Sequence, residues 1–227
     1  MTCGQTDELV VSAAQVASGS RVKSGEFRIV VMASGRGTNF QAIIDAVETG
    51  ELHAAQVAGL VCDEPDAPAL KRAAAHGVPA VVVARESHPS RAAFERALAE
   101  AVGSLRPDLV VLAGFMRILG ETFLGAFEGR VINIHPSLLP AFRGLDAQRQ
   151  ALEYGVRYSG CTVHFVDHGM DTGPIIGQRV VPVMPDDTVQ SLSARILEQE
   201  HGLLVECIAA IAEGRVRLEG RRVLVGR

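Results

Sequence analysis

The chain has 227 residues, of which 26 are Asp or Glu and 22 are Lys or Arg, for a formal net charge of −4. That balance offers no basic excess to displace counterions from nucleic acid. A content of 48% apolar and 21% charged residues also excludes a disordered composition. No apolar run approaches the ~20 residues of a membrane span, so neither a nucleic-acid nor a membrane partner is expected. Residues 1–25 lack the cationic start and continuous apolar stretch of a signal peptide. Ser18-Gly-Ser20 and Ser24-Gly25 set them apart as a disordered N-terminal extension, leaving residues 26–227 as a single domain. Cys3, Cys62, Cys161 and Cys207 are widely spaced with no CxxC pair, the pattern of reduced thiols in a cytoplasmic protein.

Beyond the extension, Val- and Ile-rich runs at 27–33, 56–62, 79–84, 109–113 and 131–134 predict buried strands. Helices are predicted between them near 38–49, 66–76, 90–103 and 120–127. This alternation implies an α/β, Rossmann-like and mostly parallel sheet with helices on both faces. After about residue 158 the rhythm changes. Segments 160–166 and 175–183 predict two strands without an intervening helix, an antiparallel extension of the sheet. Residues 188–213 predict a long C-terminal helix, with Leu192, Ile196, Leu203 and Cys207 spaced for one face. A short hairpin at 216–218 and 222–225 closes the chain.

Parallel sheets bind ligands beyond the carboxyl ends of their strands, and the notable residues fall there. The first strand runs into Ala33-Ser-Gly-Arg-Gly-Thr-Asn39 and then a helix. Gly35 and Gly37 permit close backbone approach, and the helix N-terminus favours an anion, so Gly35, Arg36, Gly37, Thr38 and Asn39 suit a monophosphate. Phe40 stands at the third glycine position of a dinucleotide fingerprint, and the Gly-Lys-Ser/Thr ending of a P-loop is absent. A plain strand-to-helix turn is the competing reading. Asp63, where a ribose-binding acid would sit, is read as a surface turn residue before Glu64-Pro65.

The fifth strand delivers Asn133 and His135, two apart and therefore on one side, and Pro136 stops it. Asp171 precedes a Gly-Pro break. An amide donor, an imidazole and a carboxylate suit acyl transfer with proton movement, although a lone histidine is as often structural. His164 and His168 straddle a strand-to-loop transition, which does not place them on one helical face, and no metal site is expected. Arg117 is read as contacting an acid or being solvated, and Glu200 and His201 as lying on one edge of the long helix.

Four segments occur in order: Ser34-Gly-Arg-Gly-Thr-Asn39, Val111-Leu-Ala-Gly-Phe-Met-Arg-Ile-Leu119, Ile132-Asn-Ile-His-Pro-Ser-Leu-Leu-Pro140 and Asp171-Thr-Gly-Pro-Ile-Ile176. From about Phe27 to Arg217 the chain resembles the phosphoribosylglycinamide formyltransferases, folate-dependent enzymes of purine synthesis. The resemblance implies formyl transfer from 10-formyltetrahydrofolate to the amine of glycinamide ribonucleotide, with no metal required. It also implies catalytic roles for Asn133, His135 and Asp171, with Asp171 raising the His135 pKa. Residues 35–39 would hold the substrate phosphate and Glu200 the ribose or amine. Arg91, Met116, Arg117, Ile118, Leu119 and Asn133 would bind the folate, and the 166–171 loop would close over the pterin. Monomers and homodimers both occur among such enzymes.

The chain departs from the family pattern at Arg143, where proline is common, at Asp146, in place of a histidine, and at Leu197, where a polar residue is frequent. Three other readings use the same chemistry or part of it. A 10-formyltetrahydrofolate hydrolase would take water as acceptor, usually with an N-terminal regulatory domain for which 25 residues leave no room. A transfer-RNA formyltransferase would need a basic C-terminal domain. A non-catalytic nucleotide-binding module would keep the glycine loop without needing His135 and Asp171.

Overall fold

A computed structural model describes residues 27–226; the expected N-terminal extension, residues 1–25, and with it Cys3, lies outside them. The first strand shows how the sequence builds the layers. In β1 (Phe27–Ala33) successive side chains point to opposite faces. Ile29, Val31 and Ala33 enter one apolar core, and Val30 and Met32 enter the other. A strand buried on both faces needs a continuous apolar run rather than an alternating one, which is what residues 29–33 supply.

Around β1 the chain forms a seven-stranded sheet in the order β3-β2-β1-β4-β5-β6-β7. The parallel strands are β2 (Ala55–Cys62), β3 (Ala80–Val82), β4 (Leu109–Leu112) and β5 (Val131–His135). β6 (Tyr158–Phe165) and β7 (Ile175–Pro182) complete it in antiparallel register. Helices α1 (Thr38–Glu48), α2 (Pro68–Ala75) and the long α6 (Val189–Ala212) contribute to one core. Helices α3 (Arg91–Ser104) and α4 (Glu121–Ala126) contribute to the other. The α/β class, the antiparallel extension and the long C-terminal helix all match the sequence reading.

Helix ends follow local chemistry. The Ser90 side chain accepts from the Ala93 amide and opens α3. Thr188 and Ser191 form a reciprocal capping box at α6, satisfying two orphan donors. One α-helix was not anticipated: α5 (Ala147–Tyr154). Its helical signal is faint because only Ala147 and Ala151 are buried in it, and its caps, Asp146 and Gly155, adopt the left-handed conformation. The predicted third strand also shrinks, from 79–84 to three residues at the sheet edge. Cys62, Cys161 and Cys207 are free and buried; burial pushes Cys62 up to about 11 and the other two to about 12. A hairpin of β8 (Val216–Glu219) and β9 (Arg222–Val225) follows α6.

The order places a switch point between β1 and β4, because the chain leaves β1 toward β2 on one side and returns to β4 on the other. Loops leaving these two strands diverge and open a crevice. Gly37 starts α1 with φ +67, and a Cβ there would lie 2.7 Å from Ala69 Cβ and 3.0 Å from Ala69 Cα. Glycine is therefore required twice, by backbone conformation and by the approach of α2. Gly37→Ala should lower the unfolding free energy by about 2–4 kcal/mol, from left-handed strain and overpacking. Urea unfolding measures it, and an unchanged midpoint would contradict the packing argument.

Candidate active site

A cleft of about 720 Å³ opens along the carboxyl ends of β1, β4 and β5. It is lined by Gly35, Arg36, Gly37, Thr38 and Asn39 on one side, and by Met116, Arg117, Ile118 and Leu119 on another. Asn133, His135 and Asp171 line it too, and Glu200 reaches it from α6. Of the residues that the resemblance assigns to substrate binding or catalysis, only Arg91 is outside the cleft lining. Its Nη2 donates to the Ile118 carbonyl at 3.1 Å while its Nε pairs with Glu95.

The centre is a chain of short-range contacts among four polar side chains. Strand alternation carries Asn133 and His135 to the same side of β5. The His135 Nε2 donates to the Phe142 carbonyl at 2.9 Å, which leaves Nδ1 facing Asp171 Oδ2 at 3.4 Å. Asp171 Oδ2 also accepts from the Gly144 amide at 2.8 Å. A fourth residue, His164, joins from β6, where register sets it opposite Asn133. Its Nδ1 donates to the Phe165 carbonyl, and its Nε2 lies 3.3 Å from Asn133 Nδ2 and 3.6 Å from Asp171 Oδ1. Uncharged, that nitrogen accepts from Asn133; protonated, it donates to Asp171. Contacts of 3.3–3.6 Å are longer than strong hydrogen bonds, as is common before substrate tightens a site. Asp171 has φ +53, a left-handed backbone that Asp tolerates better than most residues.

Burial dominates the titration of this centre. It pushes the His135 imidazole below its ordinary value, against the raising pull of the Phe142 carbonyl and of Asp171. Asp171 raises His135 as expected, but desolvation of an almost inaccessible ring outweighs that pull and the net shift is downward. For Asp171 burial pushes the carboxyl up, and contacts with His164, the Gly144 amide and His135 together take it below the usual carboxylate range. At neutral pH the site therefore holds an ionised Asp171 beside an uncharged His135.

The two flanks are tied to each other. The Ser34 amide donates to the Gly114 carbonyl at 3.0 Å, and its hydroxyl accepts from the Met116 amide at 2.9 Å. The glycine loop and the 116–119 wall thus share one residue. Arg117 Nε donates to Asp63 at 2.7 Å and Nη2 to Glu64 at 2.8 Å. Asp63 is fully buried, so its assignment as a surface turn residue is corrected: it anchors Arg117. Behind the glycine loop, the Ala69 amide donates to the Gly35 carbonyl and Arg72 Nε to the Arg36 carbonyl. α1 carries no acidic residue in its first turn, which leaves its positive end available.

On α6, Glu200 is buried and accepts from Asn39 Nδ2 at 2.8 Å, while Asn39 Oδ1 is buried without a partner. The edge-of-helix reading of Glu200 is replaced by this inward dyad. Of the three departures, Asp146 and Leu197 line the cleft, whereas Arg143 is exposed and outside its lining. His164 is the residue that sequence reasoning missed. The available signal was its place in the apolar strand 160–166, whose pairing with Asn133 only the sheet register reveals.

Residues 27–208 match the family described as formyl transferase. A phosphoribosylglycinamide formyltransferase of Mycobacterium tuberculosis is 45% identical over 204 residues, 90% of this chain and 94% of the relative. The trifunctional purine biosynthetic protein adenosine-3 of Drosophila melanogaster is 43% identical over 189 residues, 82% of this chain. The chain spans only 14% of that longer protein. The crystal structure of glycinamide ribonucleotide transformylase 1 from Symbiobacterium toebii superposes with a TM-score of 0.87 at 51% identity, covering 88% of this chain and 94% of the other. The chain belongs to the formyl transferase family.

Glu200 gives a stability prediction. Burial raises its carboxyl, opposed by the hydrogen bond from Asn39. A carboxyl raised on folding contributes stability below its unfolded value, and that contribution is lost as pH rises through the folded value. Glu200→Gln keeps an acceptor for Asn39 and removes the buried charge. It should raise Tm by about 2–4 °C at pH 7.5, with the gain vanishing toward pH 4. Thermal unfolding at the two pH values checks this, and a lower Tm at pH 7.5 would contradict it.

Proposed function

We propose that this enzyme transfers a formyl group from 10-formyltetrahydrofolate to the primary amine of glycinamide ribonucleotide, giving formylglycinamide ribonucleotide and tetrahydrofolate in purine (IMP) biosynthesis. It acts as a single formyltransferase domain over residues 26–227, in the cytoplasm, as a monomer or homodimer, on small-molecule partners alone. The observation that carries this reading is the inward Asn39–Glu200 dyad beside the glycine loop, in one cleft with Asn133, His135 and Asp171. Water as acceptor has no use for an anion-binding helix end and a buried polar pair.

The substrate phosphate sits at residues 35–39, held by backbone amides and the α1 N-terminus. Asn39 Oδ1, lacking a partner in the free site, accepts from a substrate N–H or hydroxyl, with Glu200 alongside. The folate packs along Met116, Arg117, Ile118 and Leu119. There Met116 and Ile118 are exposed apolar side chains, and Arg91 and Arg117 brace the wall from behind and beside.

The amine nitrogen attacks the formyl carbon, and the carbonyl electron pair moves to oxygen. Asn133 donates to that oxyanion from Nδ2, where a preorganised donor is most effective. The attacking nitrogen becomes positive as its bond to carbon forms, and it gives up a proton to His135 Nδ1, whose Nε2 is already committed to Phe142. The resulting imidazolium pairs with Asp171. The proton then passes to the folate nitrogen, the carbon–nitrogen bond to the folate breaks, and the carbonyl re-forms. A water on Asp171 serves as relay. An uncharged resting His135 fits this order, since it must accept before it donates.

The test follows the fate of the formyl group. Loss from 10-formyltetrahydrofolate only when glycinamide ribonucleotide is present, with formylated nucleotide appearing, is expected. Loss without the nucleotide would replace this reading by hydrolysis, and nucleotide binding with no turnover would replace it by a binding module. Asn133→Ala and Asp171→Asn should each lower kcat by about 10²–10³ or more with the fold retained. Near-normal turnover in both would sink the assignments.

A further inference from the structure

The hairpin β8–β9 follows residues 27–208, the segment that matches the formyl transferase family, and nothing in the reaction described above uses it. It is nevertheless fastened to the body of the enzyme. Val216 is buried in the core beside α6, and Val223 packs against the same core. Its open end is closed by Gly226 N donating to the Arg215 carbonyl at 2.8 Å and by Arg215 Nη1 donating to the Gly226 carbonyl at 3.0 Å. Gly220, at φ +59, makes the turn that aims the next side chain. That side chain is Arg221, and its Nη2 donates to the Thr172 carbonyl at 2.6 Å.

Thr172 follows Asp171 directly. The loop holding both is braced within itself by Asp167, whose Oδ1 accepts from the Thr172 hydroxyl at 2.5 Å and from the Gly169 amide at 3.1 Å. At its end Gly173 lies against the Phe165 carbonyl with no room for a Cβ. These contacts fix the loop near β6, and the bond from Arg221 comes from forty-nine residues further along the chain. Asp171 needs such support. It sits in a left-handed backbone conformation, and its approaches to His135 and His164 are 3.4 and 3.6 Å. A small rotation at Thr172 would carry the carboxylate out of reach of both rings.

We infer that Arg221 is a positioning residue for Asp171, and that the C-terminal hairpin is a working part of the active site. The inference rests on the reading of Asp171 as a catalytic carboxylate. Arg221 touches no substrate; it acts by holding the peptide that follows Asp171, and misplacement of a reacting group lowers turnover more than it lowers binding.

Steady-state kinetics on the full chain test this with five variants. Arg221→Ala should lower kcat by about fivefold while KM for glycinamide ribonucleotide stays at the parent value, because the glycine loop and Glu200 are untouched. Arg221→Lys, which keeps one charged donor, should recover part of the loss. Arg222→Ala removes the same charge one residue along and should match the parent. The double variant Arg221→Ala with Asp171→Asn should be no slower than Asp171→Asn alone, since a residue acting through Asp171 has nothing left to position. Full turnover in Arg221→Ala, an equal loss in Arg222→Ala, or losses that multiply in the double variant would each overturn the link. So would a drop in the unfolding temperature of Arg221→Ala large enough to account for its lost activity. Near-normal turnover in Asp171→Asn would sink the reading of Asp171 and the link with it. Loss in that variant beside full turnover in Arg221→Ala would sink the link alone.

Discussion

Asp171 ties together segments that fold from distant parts of the chain. Its carboxylate receives the Gly144 amide from the loop after β5, faces His135 at the end of β5, and faces His164 on β6. A half-buried carboxylate survives ionised only where such groups repay its lost hydration. The same requirement shapes the protein around it. β6 must run antiparallel beside β5 to bring His164 opposite Asn133, and the two loops must meet at Gly144. Breaking the parallel pattern after β5 is thus the step that brings Asn133, His135, His164 and Asp171 together.

Against this fixed centre the two substrate walls are held as one piece. Ser34 belongs to the glycine loop and accepts from the amide of Met116, so movement of either wall is felt by the other. Asp63 at the end of β2 grips Arg117 from a third strand end. A transfer reaction needs two substrates aligned to within a fraction of an ångström, and rigid cross-links between the walls supply that alignment before either substrate arrives. Burial acts on Glu200 as well, where it raises the carboxyl against the hydrogen bond from Asn39.

Much of the fold was legible in the sequence because the physics there is local. The apolar runs of β1, β2 and β4, the Pro136 stop after His135 and the amphipathic α6 each state their structure within a few residues. Gly37 and the residues after it similarly announce a strand-to-helix turn. What was not legible depended on distance in the chain. His164 gains its role from a register with Asn133 thirty-one residues earlier. Asp63 looked like turn chemistry because its partner, Arg117, is fifty-four residues away. The sign of the His135 shift required knowing how little water reaches the ring. α5 was missed for a local reason, since two buried alanines among polar residues leave almost no periodic signal.

The most direct measurement is an NMR pH titration of the His135 imidazole in the substrate-free enzyme, repeated in Asp171→Asn. The account predicts that His135 titrates below the ordinary histidine value of about 6.5, and lower still once the Asp171 charge is removed. Titration above that value, or an imidazole indifferent to the loss of Asp171, would contradict the claim that an uncharged His135 beside an ionised Asp171 is the resting state from which formyl transfer begins.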